Sequence, residues 1–189
     1  MDTIEICNLA LGAIGAPTIL NFDAAGELPN RCRELLPVCR DRLLRSFVWS
    51  FSLTSAPLQQ DATAPAVPEF PIGCQVPGDM IRAFRLESRD PYLLRGRRIF
   101  VAKLPQSLVY CRRIEDTSLF DTAFADALVY AIAAELAIPA TRDANLANYL
   151  RGEFRERIAA ARDFGAIENH HEFQLGDRYS SFLEARRGE

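Results

Sequence analysis

Apolar residues recur along the chain with two different periods, and the change of period divides it. From Thr3 to Ile14, Ile4, Cys7, Leu11 and Ile14 follow at steps of three, four and three, which is one stripe of a helix. Asp2 or Thr3 stands where an N-cap is needed. Gly15, Pro17 and the stretch Asn21–Gly26 then break the pattern. Gly12 and Gly15 read as the end of this helix; no strand precedes them, so they are not a dinucleotide fingerprint. A second helical pattern runs from about Pro29 to Phe47, with Cys32, Leu36, Cys39, Leu43 and Phe47 on one stripe. Arg31, Arg33, Arg40, Arg42 and Arg45 take its other face or margins, and Pro37 is expected to kink or restart it. Trp49 and Phe51 follow as bulky core anchors.

Ser55–Glu69 is rich in Ala and Pro, carries no period, and reads as a linker or exposed loop. Beyond it the period drops to two. Phe70–Val76, Ile81–Glu87, Tyr92–Leu94, Arg98–Val101 and Leu108–Arg112 are short strand-like runs, separated by turn signals at Pro77-Gly78-Asp79, Arg89-Asp90-Pro91 and Gly96. Leu94-Arg95-Gly96-Arg97-Arg98-Ile99 is a tight hairpin candidate.

Helix returns at Ser118, where Ser118-x-x-Asp121 resembles a capping box. Phe120, Phe124, Leu128, Ile132 and Leu136 repeat every four residues among many alanines, and Pro139 is expected to stop the helix. A fourth helix is predicted from Arg142 or Asp143 to Asp163, with Leu150, Phe154, Ile158 and Ala161 inward and Glu153 placed to pair with Arg157. Gly165 is its natural end. The pattern therefore predicts an α+β chain, mainly α: a four-helix bundle with an inserted small antiparallel β-subdomain and an extended C-terminal tail. The bundle takes residues 1–54 and 114–165, the linker and β-subdomain 55–113, and the tail 166–189. That tail has too little apolar mass for its own core yet carries spaced anchors, so it is expected to dock, with Tyr179, Phe182, Leu183 and Arg186 making the contact. Another protein or its own bundle would receive it.

Composition removes several classes. A chain of 189 residues, 49% hydrophobic and 25% charged, can bury a core without disulfide or metal. Cys7, Cys32, Cys39, Cys74 and Cys111 form an odd set with no CxxC pair, which reads as buried thiols of a reducing compartment. Met1-Asp2-Thr3-Ile4-Glu5 lacks a signal peptide's basic flank, and no apolar run reads as a membrane span, so a soluble chain with no membrane partner is expected. A net charge of −3 is unlike a free-standing duplex binder. Lys103, the single lysine, sits at a strand end in no P-loop and reads as solvated. His170 and His171 are adjacent, without HExxH, a Cys/His cluster or a G-x-S-x-G elbow. No catalytic, metal or cofactor constellation is predicted, and the chain is expected not to be an enzyme.

Four stretches carry a resemblance. They are Ile6-Cys7-Asn8-Leu9-Ala10-Leu11 with Ile14-Gly15; Pro37-x-x-Arg40-Asp41-x-Leu43-Leu44-Arg45 with Trp49-x-Phe51; Val76-Pro77-Gly78-Asp79-Met80-Ile81-Arg82; and Gly96-Arg97-Arg98-Ile99 through Phe120-Asp121-x-x-Phe124-x-x-Ala127-Leu128 to Ala133-Ala134-Glu135-Leu136-Ala137. In this order and spacing the chain resembles the tail tubular protein A-like head-to-tail adaptors (connectors) of tailed bacteriophages. The tail matches more loosely, through Tyr179-Ser180-Ser181-Phe182-Leu183-Glu184-Ala185-Arg186. The resemblance implies a structural virion protein, made in the host cytoplasm and placed at the head–tail junction. It implies a ring, commonly a dodecamer, below the portal protein, extending the DNA channel and offering an attachment site for a nozzle or the next tail-completion protein. Double-stranded DNA would pass through without sequence-specific binding. Arg40 and Arg42 are the expected inter-subunit contacts, from the charge-paired face of the second helix. The alternative is a non-virion helical adaptor, or a DNA-binding regulator using the arginine-rich second helix.

Overall fold

The computed structural model describes residues 1–65 and 67–162. The chain divides into two compact units: Met1–Cys39 together with the chain from Phe120 onward, and Arg40–Leu119. The boundary falls inside one helix.

In the first unit, α1 (Thr3–Ala13) starts on a reciprocal cap. The Asp2 carboxylate accepts from the Glu5 N–H at 2.7 Å, and the Glu5 carboxylate accepts from the Asp2 N–H at 2.7 Å. Gly15, at φ +70°, turns the chain away after Ile14. α2 (Glu27–Ser46) brings Cys32 and Cys39 into this unit's core. α3 (Thr122–Thr141) packs along α1. Its Phe124, Leu128, Ile132 and Leu136 are fully buried, and Ala127, Ala133 and Ala137 leave no exposed surface, which lets the helices approach closely. α4 occupies residues 144–162. The Asp143 carboxylate caps it by accepting from Asn145 and Leu146 N–H groups at 2.8 and 3.1 Å. Ala147, Leu150, Ile158 and Ala161 turn inward.

The second unit holds the rest of α2 and two three-stranded antiparallel sheets. The first is ordered β1 (Leu53–Pro57), β6 (Ser107–Arg112), β3 (Met80–Leu86). The second is ordered β2 (Ile72–Gln75), β5 (Arg98–Val101), β4 (Leu93–Arg95). Cys74, Leu86, Ile99, Val101, Leu108 and Tyr110 from both sheets share one apolar core with Leu58. β4 and β5 form a two-residue hairpin with Arg95 opposite Arg98. Gly96 takes the first turn position at φ +59°, as a type II′ turn requires.

Several expectations need correction. The architecture is α+β with four helices among the described residues, but not a clean four-helix bundle with one small sheet. One reason is α2, whose narrow buried stripe is divided: Cys32 and Cys39 belong to one unit, Leu43 and Leu44 to the other. The other is β1, drawn from a segment that reads as loop. Its Pro57 is tolerated because β1 is an edge strand, paired only with β6. Pro37 lies within a continuous α2. Ser118 does not cap α3; Asp121 does, accepting from the Ala123 N–H at 2.7 Å. Pro139 does not end α3, which continues to Thr141 and closes on Arg142 at φ +59°. α3 is also long and apolar enough by length and composition to cross a membrane, with a mean hydropathy of 1.6, yet 61% of that window is buried inside the protein.

Candidate functional site

Two places stand out, a charged junction in the second unit and an apolar groove in the first. In the second unit the quoted stretches meet in a charged junction. α2 is still helical at Arg40 and Asp41, and both point toward the end of β6. Arg40 is only 7% exposed. Its Nε and Nη2 each lie 2.9 Å from Asp41 Oδ1, and Nη2 is 3.8 Å from a Glu115 carboxylate oxygen. Asp41 Oδ2 accepts from Arg113 Nε at 2.8 Å, so one carboxylate serves two guanidiniums. The Arg113 N–H donates to the Asp79 carbonyl at 2.8 Å. The Tyr110 hydroxyl donates to Asp79 Oδ1 at 3.0 Å; burial, then this bond, raise the Tyr110 pKa and keep the phenol neutral. Arg45 donates to the Ile81 carbonyl at 3.0 Å. Trp49, buried beside them, donates from Nε1 to the Leu43 carbonyl at 3.0 Å.

In the first unit a groove of about 860 Å³ lies along α1 and α3. Met1, Leu9, Ala13, Val129 and Tyr130 give it apolar walls, and Asp121 and Asp126 are its carboxylates. A shallower hollow with Glu5, Asn8 and Thr18 continues from Met1 and Leu9. Leu9 is 51% exposed on a helix whose opposite face is fully buried. α4 reaches the groove edge through Arg157, whose Nε is 2.8 Å from Asp126 and whose guanidinium stacks 3.5 Å from the Tyr130 ring centre. Burial works against the Arg157 charge, but Glu153 and Asp126 outweigh it and raise the pKa. The Asn8 side chain fixes the following loop, donating to the Ile19 carbonyl at 2.9 Å and accepting from its N–H at 2.7 Å.

The predicted inter-subunit residues part company. Arg40 is enclosed by its own unit, whereas Arg42 is exposed one residue beyond Asp41. The other arginines of α2 largely face partners within the chain: Arg31 with Glu27 at 2.6 Å, and Arg33 with Asp23 at 2.7 Å. Tyr179, Phe182, Leu183, Arg186, His170 and His171 lie outside the described residues. All five cysteines are free and buried. A hydrogen bond with Cys32, then burial, push the Cys7 thiol well above its ordinary value. Among the described residues no cluster of three His, Cys, Asp or Glu is placed to hold a metal ion. Sequence reading missed Asp41 as the hub and the groove altogether. Leu9, off the stripe of Ile4, Cys7 and Leu11, was the signal available for the groove. No family model matches the chain, and no curated protein matches its sequence.

Proposed function

We propose that the protein is a head-to-tail adaptor of a tailed bacteriophage, a structural virion component rather than an enzyme. It would assemble as a ring below the portal protein, extend the DNA channel, and present a surface for the nozzle or next tail-completion protein. The observation that carries this reading is where the quoted stretches go. Arg45 of the second stretch bonds to Ile81 of the third, and Asp41 of the second and Asp79 of the third both hold residues at the end of β6. Segments far apart in sequence thus form one junction, where the inserted β-unit is rooted on α2. A junction built from segments so distant in sequence suits a scaffold rather than a catalytic pocket. The regulator reading, with α2 gripping DNA, is disfavoured because Arg31, Arg33 and Arg40 already face carboxylates.

Attachment would run through the C-terminal segment, with Tyr179, Phe182, Leu183 and Arg186 as anchors. Truncation after Gly165, compared with the full chain in co-sedimentation with portal rings, tests this. The shortened protein should keep its helix content and melting temperature while losing the portal. If it unfolds, the segment belongs to the protein's own core; if the full chain never sediments with portal, the adaptor reading fails.

A further inference from the structure

Charge is distributed unevenly between the two units. Residues 40–119 contain twelve of the 22 Lys and Arg but only eight of the 25 Asp and Glu, so this unit is net positive by four although the whole chain is −3. Four of its cations are ion-paired with its own carboxylates: Arg40 and Arg113 at Asp41, Arg98 at Asp61, Lys103 at Asp90. The β4–β5 hairpin is different. Arg95 and Arg97 flank Gly96 at its tip, both exposed, and neither side chain has an ion-pair or hydrogen-bond partner among the described residues. Beside them Leu94 is 43% exposed, an apolar side chain held out by a two-residue turn.

The α1–α3 groove offers the converse surface. Its walls are apolar, and its carboxylates are Asp121, which caps α3, and Asp126, which Arg157 holds at 2.8 Å; Glu5 in the adjoining hollow lies 3.9 Å from the Met1 ammonium. We propose that the hairpin tip of one copy docks in the α1–α3 groove of the next, with Leu94 against Leu9 and Val129 and with Arg95 and Arg97 facing Asp121 at the start of α3. Apolar burial at the centre of a contact with charges at its rim is the usual anatomy of a specific interface. Because tip and groove are different surfaces, the contact is heterologous and generates a ring when the rotation closes. The inference rests on the ring reading above and names the surfaces that build it.

Buried native thiols make a clean test possible, since only introduced cysteines are accessible to a cross-linker. Leu94→Cys and Leu9→Cys variants would be prepared separately, concentrated, mixed, and treated with a short bis-maleimide. Cross-linked dimers should form in the mixture and not with either variant alone. Adding Arg95→Glu and Arg97→Glu to the Leu94→Cys protein should cut the yield at least tenfold with circular dichroism unchanged, and raised salt should act in the same direction. Absence of cross-links in the mixture, or Leu94→Cys pairing with itself, overturns the proposal. So does a hairpin whose arginine reversal leaves the cross-link intact but abolishes binding to duplex DNA. Portal-bound rings without this cross-link would leave the adaptor reading standing and sink the contact. Cross-links in a protein that never binds portal would do the reverse.

Discussion

Removing the Asp41 carboxylate tests the charged junction most sharply. Arg40 keeps a side chain only 9% exposed, and its close counter-charge is Asp41, itself 27% exposed; Glu115 stands farther away at 3.8 Å and is 75% exposed. Breaking a buried ion pair from one side costs ~3–5 kcal/mol, because the surviving charge stays desolvated. The second pair that Asp41 makes, to an Arg113 that is 43% exposed, adds only ~0–1 kcal/mol. Water reaching the partly open Asp41 side offsets some of the loss, so Asp41→Ala is expected to cost about 2–4 kcal/mol. Adding Arg40→Met should recover a good part of this, since no buried charge then remains. Urea unfolding followed by Trp49 fluorescence is the assay: the single tryptophan is 4% exposed and lies in the same unit. A cost for Asp41→Ala below about 0.5 kcal/mol, or a double variant weaker than Asp41→Ala alone, would refute the reasoning, since the unpaired buried charge is the source of the loss. The same geometry means that Arg40→Glu should unfold the second unit by setting a third carboxylate beside Asp41 and Glu115.

Leu128→Ala removes a fully buried side chain from the centre of α3 and should cost ~2–5 kcal/mol, read as a loss of helical melting temperature. Gly73→Ala would drive its new Cβ into Ala64 and against the Phe100 ring, so a destabilisation of ~1–3 kcal/mol is expected by Trp49 fluorescence. Bonds from Thr63, then Arg98, lower the Asp61 pKa from 3.8 to about 2. The folded state therefore favours the carboxylate: its contribution is complete above pH 3.8 and drains away as pH falls toward 2. The stability gap between wild type and Asp61→Asn should shrink over that window, and a gap independent of pH would contradict the assignment.

Elements whose burial follows their own period were legible. The stripe of α1, the four-residue repeat of α3 and the Gly96 hairpin all announce themselves: α1 buries one face, α3 is apolar and buried nearly all round, and Gly96 supplies the positive φ of its turn. β1 was not legible: Leu53-Thr54-Ser55-Ala56-Pro57 has weak strand propensity and is held by its pairing with β6, far along the chain. The break of β3 into bulges near Ile81 and Phe84 likewise depends on partner register. Pro37 and Pro139 misled because neighbouring packing keeps α2 and α3 helical through them. At the candidate site, Arg40 stood out as a surface cation by its place among alternating charges. Only the tertiary fold reveals that Arg40 is turned inward, because the second partner of Asp41 is Arg113 and that of Arg40 is Glu115, each more than seventy residues away.

Electron microscopy of the purified protein mixed with the portal protein from the same genome tests the central claim most directly. The adaptor reading predicts rings of this protein stacked coaxially on the portal ring, with the channel continuous through both. Portal rings left bare, with the protein instead found as a small oligomer that binds duplex DNA in a salt-sensitive way, would contradict it.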